Sequence, residues 1–185
     1  GYKVGGPKEN NLPNEVKMHS CLLRDRPEIN SIVHVHPRYT VLMSVLEAQL
    51  QAMCIEGMPL FSKPIPMFES PRLIINEKDG LEVSQIMGEH SAILLQGHGA
   101  ATAGADMEDA MVNMLHLEEQ ARMNYLAYCA VGSNHQSLTK DQQMDFVANM
   151  RTMAEAEHLN PELAATPRKP GGIWKHYAAK ASLKT

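Results

Sequence analysis

The chain has 185 residues, 44% of them hydrophobic and 21% charged, which fits one domain with a sizeable core. A formal net charge of −4 leaves no basic surface field and argues against nucleic acid as a partner. Cys21, Cys54 and Cys129 are odd in number, far apart and in no Cys-x-x-Cys pair, and no run reaches transmembrane length. Those features argue against a disulfide scaffold, a thiolate zinc site and a membrane span, and lead us to expect a cytoplasmic protein.

In chain order, residues 2–4 read as an edge strand followed by a loop. Leu12-Pro13-Asn14-Glu15 predicts a turn into a helix with Asn14 as its cap. Met18, Cys21 and Leu22, at i, i+3 and i+4, supply that helix with an apolar stripe, and Arg26-Pro27 ends it. Residues 31–36 form a β-branched strand that Pro37 stops, because proline cannot donate to a ladder. A second amphipathic helix is expected over residues 39–50, with Val41, Leu42, Val45 and Leu46 on its apolar face. Residues 59–61 and 64–68 are broken by prolines and read as edge strands or extended loop.

Residues 79–87 predict a short helix ended by Gly88, and residues 91–96 an apolar strand of the buried kind. Gly97-His98-Gly99 interrupts that strand, and residues 100–103 resume as another. Asp106 can cap the longest helix, with Asp109 in its first turn and Ala110, Met114, Leu117 and Ala121 along its stripe to about Cys129. Thr139 and Gln142 form a capping box for a further helix that Asn160-Pro161 closes. Residues 166–172 read as a hinge-like linker to Trp174, His176 and Tyr177, which can act either as a lid over a site or as a docked end. Helix and strand alternate throughout, which favours a mixed α/β layer structure.

Nine histidines are many for this length. In an extended strand His34 and His36 share one face, a ready-made pair of metal ligands or, alternatively, two hydrogen-bonded strand histidines. His98, flanked by glycines at a strand end, supplies a third imidazole, or else an ordinary turn histidine. Glu15 is the nearest suitable carboxylate in sequence, or else a first-turn acid favoured by the helix dipole. Three imidazoles that leave a coordination position open, beside a carboxylate, have the composition of a catalytic site and not of a closed structural one. His19, one turn beyond Glu15, is a weaker candidate for the same pocket.

Four ordered motifs now stand together: Leu-Pro-Asn-Glu15; Arg26-Pro-Glu-Ile; Ser31-Ile-Val-His34-Val-His36-Pro; and Ile93-Leu-Leu-Gln-Gly-His98-Gly-Ala. From about Lys3 to Cys129 the sequence resembles the class II aldolase/adducin family. The resemblance implies that His34, His36 and His98 bind a divalent metal ion (zinc, manganese, cobalt or iron) and that Glu15 is the catalytic acid/base, in some members touching the metal as well. It implies a three-layer αβα fold around a mainly antiparallel central sheet, and a homotetramer with sites at subunit interfaces. It also implies a single domain over residues 1–185, without the family's N-terminal loops that hold substrate phosphate.

Sugar-phosphate members usually follow the histidine pair with Ala, Ser or Thr. Here His36-Pro37-Arg38 is more similar to the branch that decarboxylates hydroxylated aromatic or heteroaromatic acids such as dihydroxyphthalate. Arg38 can fork onto a substrate carboxylate, or else is a solvated first-turn arginine. Arg38 and Tyr177 are accordingly expected to bind a small-molecule substrate. A sugar-phosphate aldolase, epimerase or dehydratase is the alternative. A non-catalytic adducin-like interaction module comes third, because that reading expects the metal histidines to be lost.

Overall fold

Strand β1 (Ser31–Val35) owes its extension to Ile32, Val33 and Val35, whose branched side chains suit a pleated surface. In the computed structural model, which describes residues 5–7, 12–46, 48–155 and 172–182, β1 forms one edge of a four-stranded sheet. It pairs antiparallel with β4 (Gly99–Gly104), Ser31 opposite Gly104 and Val35 opposite Ala100. Strand β4 pairs antiparallel with β3 (Ala92–Leu95), and β3 pairs parallel with β2 (Met67–Phe68), so the order is β1-β4-β3-β2. Every residue of β3 and β4 is buried, because both faces of the sheet are covered.

Side-chain alternation sends the strands into two cores. On one face Ile32, Ile93, Leu95, Ala101 and Ala103 meet Met18 and Leu22 of α1 (Val16–Asp25) and Val83 and Met87 of α3 (Glu77–Met87). On the other face Val33, Ala92, Leu94 and Ala100 meet Met43 of α2 (Arg38–Val45) and Met114, Leu117 and Ala121 of α4 (Met107–Val131). The result is the expected α/β layering of helices, mixed sheet and helices. Helices α1 and α3 lie so close at Gly80 that a Cβ there would stand 2.8 Å from the Lys17 carbonyl oxygen and 2.9 Å from Cys21 Sγ.

Several local expectations need correction. Asn14 does not cap α1: the Val16 amide bonds back to the Pro13 carbonyl, so the helix starts past Asn14, with Glu15 at the N-cap position. Helix α2 ends at Val45 instead of running to residue 50, because Leu46 turns to extended backbone and the chain beyond is held by α4. There Gln120 accepts from the Met53 amide at 2.8 Å and donates to the Cys54 carbonyl at 2.9 Å. One turn later Asn124 accepts from the Gln51 amide at 3.1 Å and donates to the Gln51 carbonyl at 2.8 Å. The apolar residues past Val45, including Leu50 and Ala52, therefore enter the core from an extended segment.

Residues Met58–Phe61 form a 3₁₀ turn entered through Gly57 at φ 72°, not a strand. Helix α3 begins two residues earlier than expected, capped by Asn76, whose side chain accepts from the Asp79 amide. Asp106 does cap α4, and Thr139 and Gln142 exchange both capping-box bonds before α5 (Lys140–Glu155). The expected edge strand at residues 2–4, the Asn160-Pro161 stop and the linker before Gly172 lie outside the described residues. Residues Gly172–Ser182 form a final helix, α6, that packs on α4. Among the described residues no helix is long and apolar enough to cross a membrane.

Gln120 is fully buried, and its truncation would leave the Met53 amide without an acceptor. Gln120→Ala is expected to lower stability by about 2–4 kcal/mol, read as a shift in the urea midpoint with an unchanged m value.

Candidate metal centre

Three separate parts of the fold meet at one point. Strand β1 presents His34 and, just past its end, His36; the β3–β4 turn presents His98; the N-terminus of α1 presents Glu15. One potential ligand atom from each of these four residues lies within 4.8 Å of those of the other three. The ring centroids of His34, His36 and His98 stand 4.8–5.2 Å apart. The turn that makes this possible needs its glycines. Gly97 has φ 67°, a left-handed value that favours glycine. At Gly99 an added Cβ would stand 2.5 Å from the Val35 carbonyl oxygen and 2.8 Å from His36 Cδ2.

Glu15 is 8% exposed, and its two oxygens have different duties. Oε1 accepts from the Ile74 amide at 2.9 Å, while Oε2 lies 2.9 Å from His34 Nε2 and 3.4 Å from His98 Nε2. Burial pushes the Glu15 carboxyl up, but the Ile74 amide and the neighbouring His34 and His98 outweigh it and hold the group below the usual carboxylate range. His98 is pushed down, first by burial and then by His34 and His36, against an opposing pull from Glu15.

Two features leave room for a cation. His34 Nδ1 faces the Ala100 carbonyl at 2.9 Å, which can only accept, so Nδ1 carries the proton. Its Nε2 then turns a lone pair toward an anionic carboxylate, a contact that calls for either a second proton or a positive ion between the two. Secondly, neither ring nitrogen of buried His98 makes a hydrogen bond. The Arg72 backbone sits near enough to favour its protonated ring slightly but not in bonding geometry. Buried polar atoms are rarely left this way without a partner such as an ion.

The other sequence candidates fall around this centre in different ways. Arg38 is the first residue of α2, exposed, two residues past His36, and without an ion-pair partner among the described residues. His19 is half-buried on α1 and lies within electrostatic reach of the centre; its pKa is lowered by burial first and then by His34. Tyr177 is not brought to the centre within this chain. Its ring sits 6.3 Å from that of His116 on α4, in the helical layer across the sheet. Burial pushes its hydroxyl up, with Glu56 and Glu119 adding to the effect. The sequence reading missed the Ile74 amide and the Ala100 carbonyl, since backbone groups leave no trace in residue type.

Residues 1–125 match the model of the class II aldolase and adducin N-terminal domain. The chain belongs to that family. Among its curated relatives is a 3,4-dihydroxyphthalate decarboxylase from Terrabacter sp. (strain DBF63), 30% identical over 172 residues, which are 91% of this chain and 65% of the relative. An L-fuculose phosphate aldolase from Methanocaldococcus jannaschii is 28% identical over 116 residues, 61% of this chain and 60% of that protein. This chain thus spans just under two thirds of the length of either relative. Among solved structures, an aldolase II superfamily protein from Pseudomonas syringae aligns over 95% of this chain and 64% of its own, with a TM-score of 0.69 at 17% identity, and so shares the fold. The L-fuculose-1-phosphate aldolase of Thermus thermophilus aligns over 72% of this chain and 70% of its own, with a TM-score of 0.57 at 28% identity.

Class II aldolases use a divalent metal, and the donor set here fits one: three imidazoles, one carboxylate and, at His36, an exposed side. Gly99→Ala tests the centre without touching a donor atom. It is expected to weaken Co²⁺ binding by about tenfold or more through displacement of the His36 ring, as followed by calorimetric titration of protein whose circular dichroism is unchanged.

Proposed function

We propose that this protein is a metal-dependent carbon–carbon lyase that releases carbon dioxide from a hydroxylated aromatic or heteroaromatic acid such as a dihydroxyphthalate. His34, His36 and His98 hold the metal in this reading, and Glu15 is the acid/base. The observation that carries it is the approach of one buried carboxylate oxygen, Glu15 Oε2, to imidazoles that are otherwise anchored or unsatisfied. Zinc, manganese, cobalt and iron all suit three imidazoles. A divalent ion there supplies Lewis acidity toward the hydroxyl and carboxylate oxygens of the substrate.

The residues of the chain do the proton work. Oε1 of Glu15 is held by the Ile74 amide, so Oε2 alone is free to exchange a proton. Its lowered pKa keeps Glu15 ionised at neutral pH, so Oε2 can accept a proton. Oε2 takes the proton of the acidified substrate hydroxyl and then delivers it to the ring carbon that bears the departing carboxylate. The bond between that carbon and the carboxylate breaks, and its electron pair passes into the ring and its oxygen. Carbon dioxide leaves, and Glu15 is again ionised. One proton has moved from oxygen to carbon, and no oxidant or reductant is needed.

Arg38 is suited to grip a second carboxylate of the substrate, being exposed and unpaired among the described residues. Tyr177, remote from the centre of its own chain, would serve the site of a neighbouring subunit, as a homotetramer with interfacial sites would allow. We take the protein to be cytoplasmic and to act in the breakdown of aromatic compounds. Similarity to dihydroxyphthalate decarboxylases over 91% of the chain, against 61% for the Methanocaldococcus aldolase, supports decarboxylation, as does the His36-Pro37-Arg38 sequence. The second reading, an aldolase on a sugar phosphate, is supported by the 28% identity to the Thermus aldolase structure.

Metal-loaded protein is expected to release carbon dioxide from a panel of hydroxyphthalates; aldehyde release from sugar phosphates with no carbon dioxide would establish the second reading instead. Glu15→Gln should lower kcat by about 10²–10⁴-fold while the protein still binds metal. Arg38→Ala should raise KM by about tenfold or more with a smaller effect on kcat, from steady-state kinetics on a di-acid substrate.

A further inference from the structure

Helix α2 has no cap of its own. Pro37 stands at its N-cap position and offers no side-chain acceptor, and no acidic residue occupies its first turn. The first amides are satisfied from elsewhere. Tyr39 N–H donates to Glu118 Oε1 at 3.0 Å and Thr40 N–H to Glu118 Oε2 at 2.9 Å, while the Thr40 hydroxyl donates to Oε2 at 2.8 Å. A carboxylate on α4 thus supplies both the acceptors and the negative charge that a helix N-terminus favours.

The consequence lies at the metal centre, because α2 is joined to it at both ends. Its first residue, Arg38, follows His36-Pro37 directly, so the start of the helix sets the backbone that carries His36. In its last turn, fully enclosed Ser44 accepts from the Gly97 amide at 2.9 Å and donates to the Val41 carbonyl at 2.7 Å. Gly97 precedes His98. Neither the His36 nor the His98 ring has a hydrogen bond among the described residues, so where the backbone carries them bears directly on where both rings lie.

We propose that Glu118 is a positioning residue for the metal centre: by capping α2 from the helical layer across the sheet, it fixes His36 directly and His98 through Ser44. The inference rests on the reading of His36 and His98 as metal ligands. Its range is wider than a local cap, since one carboxylate on α4 would then set the geometry of two donors that it never touches.

The test is Co²⁺ titration of the purified chain, followed by visible absorption and by calorimetry. Glu118→Gln keeps the size of the side chain but removes the charge and one acceptor. It is expected to weaken Co²⁺ binding by about tenfold or more and to change the shape of the cobalt absorption band. Gln120→Ala, two residues along the same helix, loses buried hydrogen bonds without touching α2. It should lose stability yet keep the wild-type cobalt affinity and spectrum. Thr40→Val removes only the hydroxyl bond to Glu118 and carries the test should Glu118→Gln not fold; it is expected to weaken binding by about threefold.

Wild-type affinity and spectrum in Glu118→Gln, or in Thr40→Val where only that variant folds, would overturn the inference and leave the metal reading standing. Equal weakening in Gln120→Ala would overturn it too, by showing that any softening of α4 suffices. Failure of the wild-type chain itself to bind Co²⁺ would overturn the metal reading and this inference with it.

Discussion

A buried carboxylate is costly unless its charge is met, and the centre of this protein is arranged around meeting the charge of Glu15. The Ile74 amide takes one oxygen, and His34 and His98 approach the other. Those partners come from the segment before α3, from β1 and from the β3–β4 turn, while Glu15 itself heads α1. Four distant parts of the chain are thereby drawn to one point. Loss of the negative charge would leave the His34–Ala100 bond and the apolar packing of α1 and α3 on the sheet in place, but would remove the anion beside His34 and His98. In the proposed reaction that same charge is the one that would move a proton.

That centre sits over the α1/α3 face of the sheet, and the other face is braced by polar contacts of its own. There helix α4 holds its neighbours in the same layer with three polar side chains. Glu118 holds the start of α2, and Gln120 and Asn124 hold the extended segment that follows it. Each meets backbone groups that would otherwise be buried without partners, so the long helix acts as a template for its neighbours as well as a packing surface. Small residues do the complementary work. The alanines and glycines of β4 let the sheet be covered on both sides, and Gly99 lets the His36 ring pass over the strand.

What could be read from the sequence follows from the range of the interactions. His34 and His36 share a face by strand alternation, Asp106 and Thr139 cap by local spacing, and the central strands stand out as apolar runs; all rest on contacts within a few residues. The four residues of the centre were legible as an ordered set of motifs, though not their mutual distances. By contrast, the early end of α2 was not legible. Its apolar pattern past Val45 fits a helix, and only hydrogen bonds from residues 67 and 73 positions away hold that segment extended. Gln120 and Asn124 read as polar residues on an amphipathic helix, and nothing local says that they face inward. Asn14 failed as a cap for a different, local reason. The turn at Pro13 moved the helix start by bonding its carbonyl to Val16.

The division between buried and exposed groups also explains how one site can serve more than one reaction in a family. Cleavage of a carbon–carbon bond, whether carbon dioxide or an aldehyde leaves, deposits an electron pair beside an oxygen-bearing carbon. A positive centre and a proton donor meet that demand in either case. Glu15, His34 and His98 are the enclosed groups, and on the proposed reading they would answer the demand common to both reactions. Nothing in their arrangement distinguishes a ring carboxylate from a phosphorylated sugar. On the proposed reading the choice between them would come from exposed groups nearby in sequence, His36 and Arg38, of which Arg38 carries a charge unmatched among the described residues. On the proposed reading a fixed, buried charge would supply the chemistry, and an unpaired, exposed one would select the substrate.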